Sequence, residues 1–440
     1  MGKQSKILLI LLALIFGAGI IYSFYFKVVP SVDAGAYDNI AWNIAQGNGY
    51  RESAGVPFIE DNSIVRVGPG YEYFLAAIYY IFGHNYAAVW IIQALLLALS
   101  AFLIFLVSKE VFGKRWNFLI GITALILVGF SPDLITLQGM LMSETLGIFL
   151  ITLSVYLFFK LANRENPPVS GVALLAVSSA LTALVRTPAL FLAVPMAGYF
   201  AFYKRWKFLA VFLALFIVLF IPWTVRNYLI FHEFIPTNLA HGLDLATGNH
   251  LGASGELEPY ELNDRLIGQY GYLKANSMLL KEAIGFIVSH PLEFLKITFY
   301  RISMYFSVAR PTGFWFHLSG WSRILTLAFS AIYSAMLFFL GFCGIWKIRD
   351  LGEKNNARLL FFMLVMMPLA IIGVVVETRY RSSVYPFFAV FAGYAADLFW
   401  QKKAGWKPVI YVALALSANA IFDVYRNFGR IIEKIWLLTN

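Results

Sequence analysis

The chain has 440 residues, of which 60% are hydrophobic and only 13% are charged. A soluble domain carries about a quarter charged residues, so the composition excludes a water-soluble globule and predicts a membrane protein. The single cysteine, Cys343, excludes an intramolecular disulfide and a cysteine-based metal cluster. The net charge of +10 does not indicate nucleic-acid binding, because the basic residues stand in short clusters between apolar runs.

Eleven apolar stretches approach the length of about 20 residues that a membrane-spanning helix needs. The predicted spans are roughly 7–26, 86–107, 117–131, 142–159, 169–185, 187–203, 208–225, 324–346, 359–376, 383–400 and 408–424. The third, fifth and sixth are short, which is typical of tilted, broken or partly re-entrant segments. The first follows Lys3 and Lys6 but is too long for the apolar region of a signal peptide, so we predict a retained anchor.

Basic residues predict which side of the membrane each connection occupies. Cytoplasmic loops carry an excess of lysine and arginine, and here the N-terminus and every second connection are basic. The basic connections hold Lys109, Lys114, Arg115; Lys160, Arg164; Lys204, Arg205, Lys207; Lys347, Arg349, Lys354, Arg358; and Lys402, Lys403, Lys407. This alternation predicts a cytoplasmic N-terminus and an outer C-terminus, with Arg426, Arg430 and Lys434 as an exception at the outer end.

Two long polar segments remain on the outer side, at 27–85 and 226–323. The second is expected to form a small helical cap with helices at 259–285 and 291–308, separated at His290-Pro291. The predicted division is therefore an N-terminal transmembrane module (1–225) whose first outer loop (27–85) forms the active site, an outer helical loop or cap (226–323), and C-terminal transmembrane helices (324–440).

The first outer loop begins with a short amphipathic helix. Its apolar positions recur with helical spacing at Tyr37, Ile40, Ala41, Ile44 and Ala45. The helix is too short to span, so we expect it at the membrane surface. Asp33 stands at its N-terminal edge, where it either caps the helix or acts as a general base at the membrane–water boundary.

Two further ionisable residues stand at the edges of apolar runs. Arg66 precedes the Pro69-Gly70 turn, where it would act as an interfacial anchor or bind an anionic headgroup. Glu144 follows Ser143 in the first turn of the fourth span, where a negative charge suits the helix dipole. Ionisable groups at that depth are also often functional, so both interpretations of Glu144 stay open.

Arginines end several predicted spans on the outer side. Arg186 lies between the fifth and sixth spans, Arg226 ends the seventh, and Arg379 and Arg381 follow the ninth. Interfacial anchoring explains each one singly. Their occurrence on the face that the positive-inside rule disfavours indicates an anionic ligand, such as a lipid phosphate.

Several soluble-enzyme signatures are missing from the sequence. It contains no phosphate-binding Gly-Lys loop, no dinucleotide fingerprint and no His-Glu-x-x-His metal motif. The cytoplasmic connections are too short to build a nucleotide site. No cofactor is therefore predicted, no metal ligands are assigned, and the need for a divalent cation stays open.

In order along the chain, these segments resemble the polyprenyl-phosphate-sugar-dependent glycosyltransferases of the GT-C fold, such as the protein O-mannosyltransferases and the lipid A aminoarabinose transferase. The matching motifs are Asp33 with Tyr37 and Ala41, Arg66 to Glu72, Phe74-Leu75-Ala76 to Phe82-Gly83, Ser143-Glu144-Thr145, Pro222 to Asn227, and Glu377-Thr378-Arg379-Tyr380-Arg381. The chain departs from the family at Gly68, Glu72 and Ala34, which weakens any carry-over specific to mannose. Region 250–320 matches nothing in the family.

The resemblance implies an all-α, polytopic, GT-C-like membrane protein with outer juxtamembrane helices. It implies that Asp33 is the general base that deprotonates an acceptor hydroxyl, with Glu144 as a second catalytic candidate. The residues expected to bind the donor's lipid phosphate are Arg66, Arg226, Arg379 and Arg381. The residues expected to line the donor or acceptor pocket are Tyr37, Asp38, Tyr71, Asn227 and Tyr380.

The predicted function is an inverting hexosyl- or pentosyltransferase. It would move a sugar from an undecaprenyl or decaprenyl phosphate to a lipid, glycan or protein acceptor, in a bacterial inner membrane with the active site facing the periplasm. Membrane lipids are the other expected partners, and nucleic acid is not one. Two alternatives remain, a flippase or transporter of lipid-linked saccharides and a glycan polymerase or ligase. If Asp33 and Arg379 meet at the outer face, a transferase is favoured over a transporter with a central site.

Overall fold

The computed structural model describes residues 2–66, 68–310, 317–351, 356–429 and 432, and Val67, Lys354, Arg430 and Lys434 lie outside them. The chain is helical throughout this part. The α-helices are α1 (Lys3–Phe26), α2 (Asp33–Ala45), α3 (Pro69–Phe82), α4 (Tyr86–Phe112), α5 (Phe118–Gly129), α6 (Pro132–Gln138), α7 (Ser143–Ala162), α8 (Val169–Val185), α9 (Leu190–Phe202), α10 (Trp206–Val218), α11 (Ile221–Phe231), α12 (His241–Gly248), α13 (Glu261–Ser289), α14 (Pro291–Tyr305), α15 (Gly320–Trp346), α16 (Asn356–Ile372), α17 (Tyr385–Trp400) and α18 (Trp406–Arg426). Short 3₁₀ helices occupy Asn62–Val65, Gly113–Arg115, Thr187–Ala189, Lys347–Leu351 and Thr378–Val384.

Each of the eleven predicted spans falls on a helix, and the chain is a multi-pass membrane protein. Six helical segments are long and apolar enough to cross a membrane, or seven if α5 and α6, which meet at 51°, form one bent span. Helices α8, α9 and α16 are apolar but shorter, as two of these three were expected to be. Length and composition therefore support fewer than eleven spans in the described residues, and the number eleven stays a prediction.

The centre of the bundle is built around α17. Most of this helix is buried between α5 and α15, including Phe387, Phe388 and Phe391. The helices approach closely because glycine lies at the contact: a Cβ on Gly344 of α15 would collide with the Phe391 carbonyl. This close packing of apolar side chains and helix backbones makes the core rigid, and α17 leads directly back to the 3₁₀ helix Thr378–Val384.

The outer connections contain further helices, α2 and α3 in the first and α12 to α14 in the second. The predicted amphipathic helix exists as α2, and its apolar face, including Ile40 and Ala41, is buried against the protein. The outer segment forms α12, α13 and α14, and the predicted break falls at His290. Helix α13 is kinked at Gly271, whose φ of 73° lies in the left-handed region that favours glycine.

Candidate functional site

Asp33 forms an ion pair with Arg379. The Arg379 Nη2 donates to the Asp33 Oδ2 at 2.9 Å, and 28% of the Asp33 side chain remains exposed. Asp33 is the first residue of α2, the cap position belongs to Val32, and no side chain caps the helix. The capping interpretation of Asp33 is therefore wrong for this structure. The carboxylate is instead directed towards an arginine and partly open to solvent.

Arg379 lies between two carboxylates. Its side chain is 10% exposed, its Nε contacts the Glu377 carboxylate, and its guanidinium lies 5.3 Å from the Tyr380 ring centre. Burial alone would lower the pKa of Arg379, but its acidic neighbours, Tyr380 and Glu377 foremost, raise this pKa well above the usual value. Arg379 is thus a permanent positive charge held beside Asp33.

A second ion pair joins the site from the fourth predicted span. Glu144 is only 2% exposed, and its Oε1 lies 2.9 Å from Arg186 Nη1, which also donates to the Ser143 hydroxyl at 3.2 Å. Gly147 permits this arrangement, because a Cβ there would lie 2.7 Å from the Arg186 Cγ. Arg186 reaches to within 5.8 Å of the Tyr380 ring centre, so Tyr380 separates the two guanidiniums. The structure therefore brings Glu144 into the same cluster as Arg379.

Two acidic residues of this cluster were not among the predicted site residues. Glu377 was quoted only as part of a motif, and burial raises its pKa. Asp244 of α12 lies in the region that matches no known motif. Burial, together with the nearby charges of Asp33 and Glu377, raises the pKa of Asp244 to about 6. No sequence signal identifies Asp244, since it reaches the site only through the packing of the outer segment.

Arg66 lies near the cluster but is already paired. Its guanidinium makes a two-pronged contact with Glu52, with Nη2 to Oε2 at 2.8 Å, and about a quarter of its side chain is exposed. Burial opposes the charge of Arg66, but the Glu52 contact raises its pKa, and Asp33 adds to this effect. Arg66 can therefore bind a phosphate only by sharing or exchanging the Glu52 contact.

Arg226 and Asn227 stabilise the chain around them. The Arg226 guanidinium lies 5.0 Å from the Trp223 ring centre and 5.5 Å from that of Tyr50, and it donates to the Tyr50 carbonyl at 3.0 Å. Asn227 is fully buried and donates to the Ile235 carbonyl at 2.8 Å. These contacts separate both residues from the ion pairs of the cluster, and they favour an anchoring role over ligand binding.

Arg381 is fully buried behind the site. It donates to the carbonyls of Ser307 and Arg310, and its Nε lies 3.0 Å from the Tyr385 hydroxyl. Tyr385 in turn donates to Asp133 at 2.6 Å. These bonds join the 3₁₀ helix Thr378–Val384 to the bundle core, and they leave Arg381 less suited to phosphate binding than Arg379.

Two of the predicted pocket residues of the first loop pack against each other, and a third belongs to a separate network. Tyr37 and Tyr71 are buried, with ring centres 5.5 Å apart in an edge-to-face contact, and the Tyr71 hydroxyl donates to Gln93 at 2.9 Å. Asp38 points elsewhere, towards a separate network. It accepts hydrogen bonds from Tyr79 and Tyr86, both at 2.6 Å, and contacts His84 at 2.8 Å. A catalytic role for Asp38 would require this network to open.

Glu72 is a buried acid close to the cluster. It is 0% exposed, and its oxygens lack a well-formed hydrogen bond within the described part of the chain, although the Tyr50 hydroxyl faces them. Burial raises the pKa of Glu72 to about 8. The side chain is thus mostly uncharged at neutral pH.

In the residues that the structure describes, no group of three or more histidine, cysteine or acidic side chains is arranged to hold a metal ion.

Comparison with known families supports the sequence resemblance. Residues 66–225 match the model of the family described as dolichyl-phosphate-mannose-protein mannosyltransferase. That match contains Arg66, Glu144 and Arg186 but not Asp33 or Arg379. Comparison with curated proteins gave no match.

Solved structures with a similar fold include the oligosaccharyltransferase of Archaeoglobus fulgidus tethered to an acceptor peptide, with a TM-score of 0.54 and 15% identity over 94% of this chain and 54% of that one. The same enzyme, AglB, in complex with an inhibitory peptide and dolichol-phosphate gives 0.53 and 14% over 97% and 56%. This chain therefore spans about half the length of that enzyme. ArnT from Cupriavidus metallidurans bound to undecaprenyl phosphate gives 0.38 and 14% over 90% and 78%, which is too low to support an argument. Residues 66–225 are therefore similar to the dolichyl-phosphate-mannose-protein mannosyltransferase family, in agreement with the resemblance that the motifs predicted.

Proposed function

We propose that this protein is an inverting glycosyltransferase that moves one sugar from a polyprenyl phosphate to an acceptor hydroxyl outside the cytoplasm. The observation that carries the proposal is the contact between Asp33 and Arg379. The expected base and an expected phosphate-binding residue come from opposite ends of the chain and meet at one point. The division into a catalytic N-terminal module, an outer segment and C-terminal spans is part of the same proposal.

The charges in the cluster suit this chemistry. Arg379 pairs with both Asp33 and Glu377. A donor phosphate would compete for the same guanidinium, because charge-assisted contacts between arginine and phosphate are strong. When Arg379 turns towards the phosphate, the Asp33 carboxylate loses its partner and becomes a better proton acceptor. Donor binding would thus activate the base.

The reaction then follows from the positions of these groups. The acceptor hydroxyl gives its proton to Asp33, and its oxygen forms a bond to the anomeric carbon from the face opposite the phosphate. The bond between that carbon and the phosphate oxygen breaks, and the electron pair leaves with the polyprenyl phosphate. Arg379 stabilises the charge that develops on this leaving group. The sugar is transferred with inversion.

The competing functions predict different products from the same donor. A flippase would move the intact lipid-linked sugar without breaking the sugar–phosphate bond, and a polymerase or ligase would transfer whole glycan chains. The position of Asp33 and Arg379 at the N-terminal edge of α2, and not in the middle of a span, favours a transferase. The identity of the sugar and that of the acceptor do not follow from these contacts.

Purified protein in lipid vesicles should therefore be incubated with polyprenyl-phosphate sugars that carry different hexoses and pentoses. The expected result is release of polyprenyl phosphate together with a product of inverted anomeric configuration. The Asp33→Asn variant is the matched control and should release far less. Movement of intact donor across the vesicle membrane without release would overturn the proposal.

A further inference from the structure

An exposed apolar stripe runs from the end of α13 into α14, in the outer segment that was expected to form a small helical cap. The stripe residues are at least 42% exposed, with Leu292 at 81% and Val288 at 74%. Within each helix they recur with the spacing of three or four residues that keeps side chains on one face, and the helix break at His290 lies between Val288 and Leu292. The stripe consists of Ile284, Val288, Leu292, Leu295, Phe299 and Ile302.

The stripe is continuous with a helix that is long and apolar enough to span the membrane. Phe299 lies 5.7 Å from Phe422 of α18, measured between ring centres. On the neighbouring turn, the Ser303 hydroxyl donates to the side-chain oxygen of Asn419 at 2.7 Å. These contacts fall in the last two turns of α18, within about 10 Å of its end at a rise of 1.5 Å per residue. Helix α14 therefore lies at the depth of the outer end of a span.

The opposite face of α14 is buried, and it includes an arginine. Arg301 is 0% exposed and donates to the Ile372 carbonyl and to Asn249 Oδ1, both at 3.2 Å. An exposed patch this large and regular on a soluble surface normally marks an interaction site. The exposed apolar face of α14 points away from the rest of the protein. It lies beside helix α18, which is itself mostly exposed along its length.

We infer that the end of α13, from Ile284 onwards, and helix α14 lie in the outer leaflet of the bilayer, with the apolar stripe against lipid acyl chains. The partner is the bilayer itself, because the stripe continues the exposed face of a predicted span. Through Arg301, the same helix holds residue 372 and Asn249. The membrane therefore supports, from one side, the chain that leads to Glu377 and Arg379. This inference does not depend on the proposed reaction.

Site-directed spin labelling tests it without any measurement of activity. The single cysteine, Cys343, is buried, so a Cys343→Ala background accepts labels at chosen positions. Labels replace Leu292 or Leu295 in the stripe, and Glu282 as the water-facing control, in vesicles of phosphatidylethanolamine and phosphatidylglycerol. Because the stripe positions are exposed, these changes should not disturb folding, and the melting temperature of each labelled protein checks this.

The expected result is several-fold higher accessibility to oxygen than to a water-soluble nickel chelate at the stripe positions, with the opposite preference at position 282. Nickel accessibility at position 295 equal to that at 282 would show that the stripe faces water and would overturn the inference. Low accessibility to both reagents, with spin–spin broadening that grows with the protein-to-lipid ratio, would also overturn it. That outcome would assign the stripe to contact with a second copy of the chain.

Discussion

Arg379 contacts Asp33 at 2.9 Å although 346 positions separate the two residues in the chain. The contact joins the first turn of α2 to the 3₁₀ helix Thr378–Val384, which is itself attached to the bundle core through Arg381. A carboxylate and a guanidinium on such different elements stay paired only if both elements are held firmly. The site is therefore built on rigid supports at its edges, which is what precise proton and group transfer requires.

Replacing Asp33 tests the general base. Asp33→Asn keeps the size of the side chain but removes its capacity to take a proton at neutral pH. We expect transfer to fall by about a hundredfold or more, the usual scale for loss of a general base, with unchanged donor binding and a similar melting temperature. Transfer by Asp33→Asn at the wild-type rate would rule out the base, and Glu144 would then be tested next. Asp38→Asn serves as the comparison, because that carboxylate is engaged by Tyr79 and Tyr86.

Arg379 and Arg226 should respond differently to the same change. Removing a charged partner of a bound phosphate typically costs about 2–5 kcal/mol. We therefore expect Arg379→Gln to weaken binding of polyprenyl phosphate by at least about thirtyfold. Arg226→Gln should weaken it little and lower the melting temperature instead, because Arg226 packs against Trp223 and Tyr50. Equal losses of binding in both variants would show that Arg226 also contacts the phosphate.

Much of the fold follows from the sequence because apolar length and basic clusters are local signals. The helix at Asp33–Ala45 and the break at His290 are predicted by spacing and by proline. The pairing of Asp33 with Arg379 was proposed only through family resemblance, since no local pattern encodes a contact between distant segments.

The remaining differences come from tertiary packing. Asp244 belongs to no motif. It becomes part of the site only because α12, the helix that carries it, packs close to Asp33 and Glu377. Arg226 has the same charge and the same predicted depth as Arg379, but its guanidinium packs against aromatic neighbours. The outer segment looked like a polar cap in sequence because its polar and apolar residues alternate along the chain. Only the folded helices separate them into a buried face and an exposed stripe.

Arg301 should affect catalysis from a distance. It donates to the carbonyls of Gly248 and Ile372, the last residues of α12 and α16, and the chain after Ile372 leads to Glu377 and Arg379. Arg301→Met would leave these buried acceptors unpaired, at a cost of about 1–3 kcal/mol each. A displacement of about 1 Å can reduce a rate by about a hundredfold, so we expect a lower kcat in the folded fraction as well as a lower melting temperature.

The matched control for this variant is Arg205→Met. Arg205 also donates to a backbone carbonyl, that of Arg164 at 3.1 Å, but this bond joins two predicted cytoplasmic connections and not the outer segment. The control variant should have a lower melting temperature without a comparable change in kcat. If Arg301→Met loses stability but keeps the wild-type kcat, Arg301 is purely structural. Partial recovery of kcat in Arg301→Lys would support the positioning role.

The orientation of the chain can be tested independently of activity. In the Cys343→Ala background, a cysteine at the exposed position 251 should react with a membrane-impermeant maleimide added from outside. A cysteine at Lys402, between α17 and α18, should react only after the membrane is permeabilised. The physical reason is the excess of basic residues on the side of Lys402. Labelling in the reverse order would place the candidate site in the cytoplasm and remove the proposed function with it.

Glu72 should make stability depend on pH. Burial raises its pKa in the folded protein from the ordinary 4.5 to about 8. The folded state therefore holds the proton more tightly than the unfolded state does, so the stabilising contribution is complete below pH 4.5 and is lost as the pH rises through about 8. Above that pH the fold must bury a negative charge, which is costly without a well-formed partner.

Glu72→Gln removes the ionisation while it keeps the shape of the side chain. We expect the melting temperatures of the variant and the wild type to be similar near pH 5, and the variant to become progressively more stable than the wild type between pH 6 and 9. Glu60→Gln is the control, because Glu60 is exposed and close in sequence. A constant difference between Glu72→Gln and the wild type across this range would mean that Glu72 is already ionised in the fold. Arg66 would then have to compensate the negative charge of Glu72, because the positive charge of Arg66 lowers the pKa of Glu72.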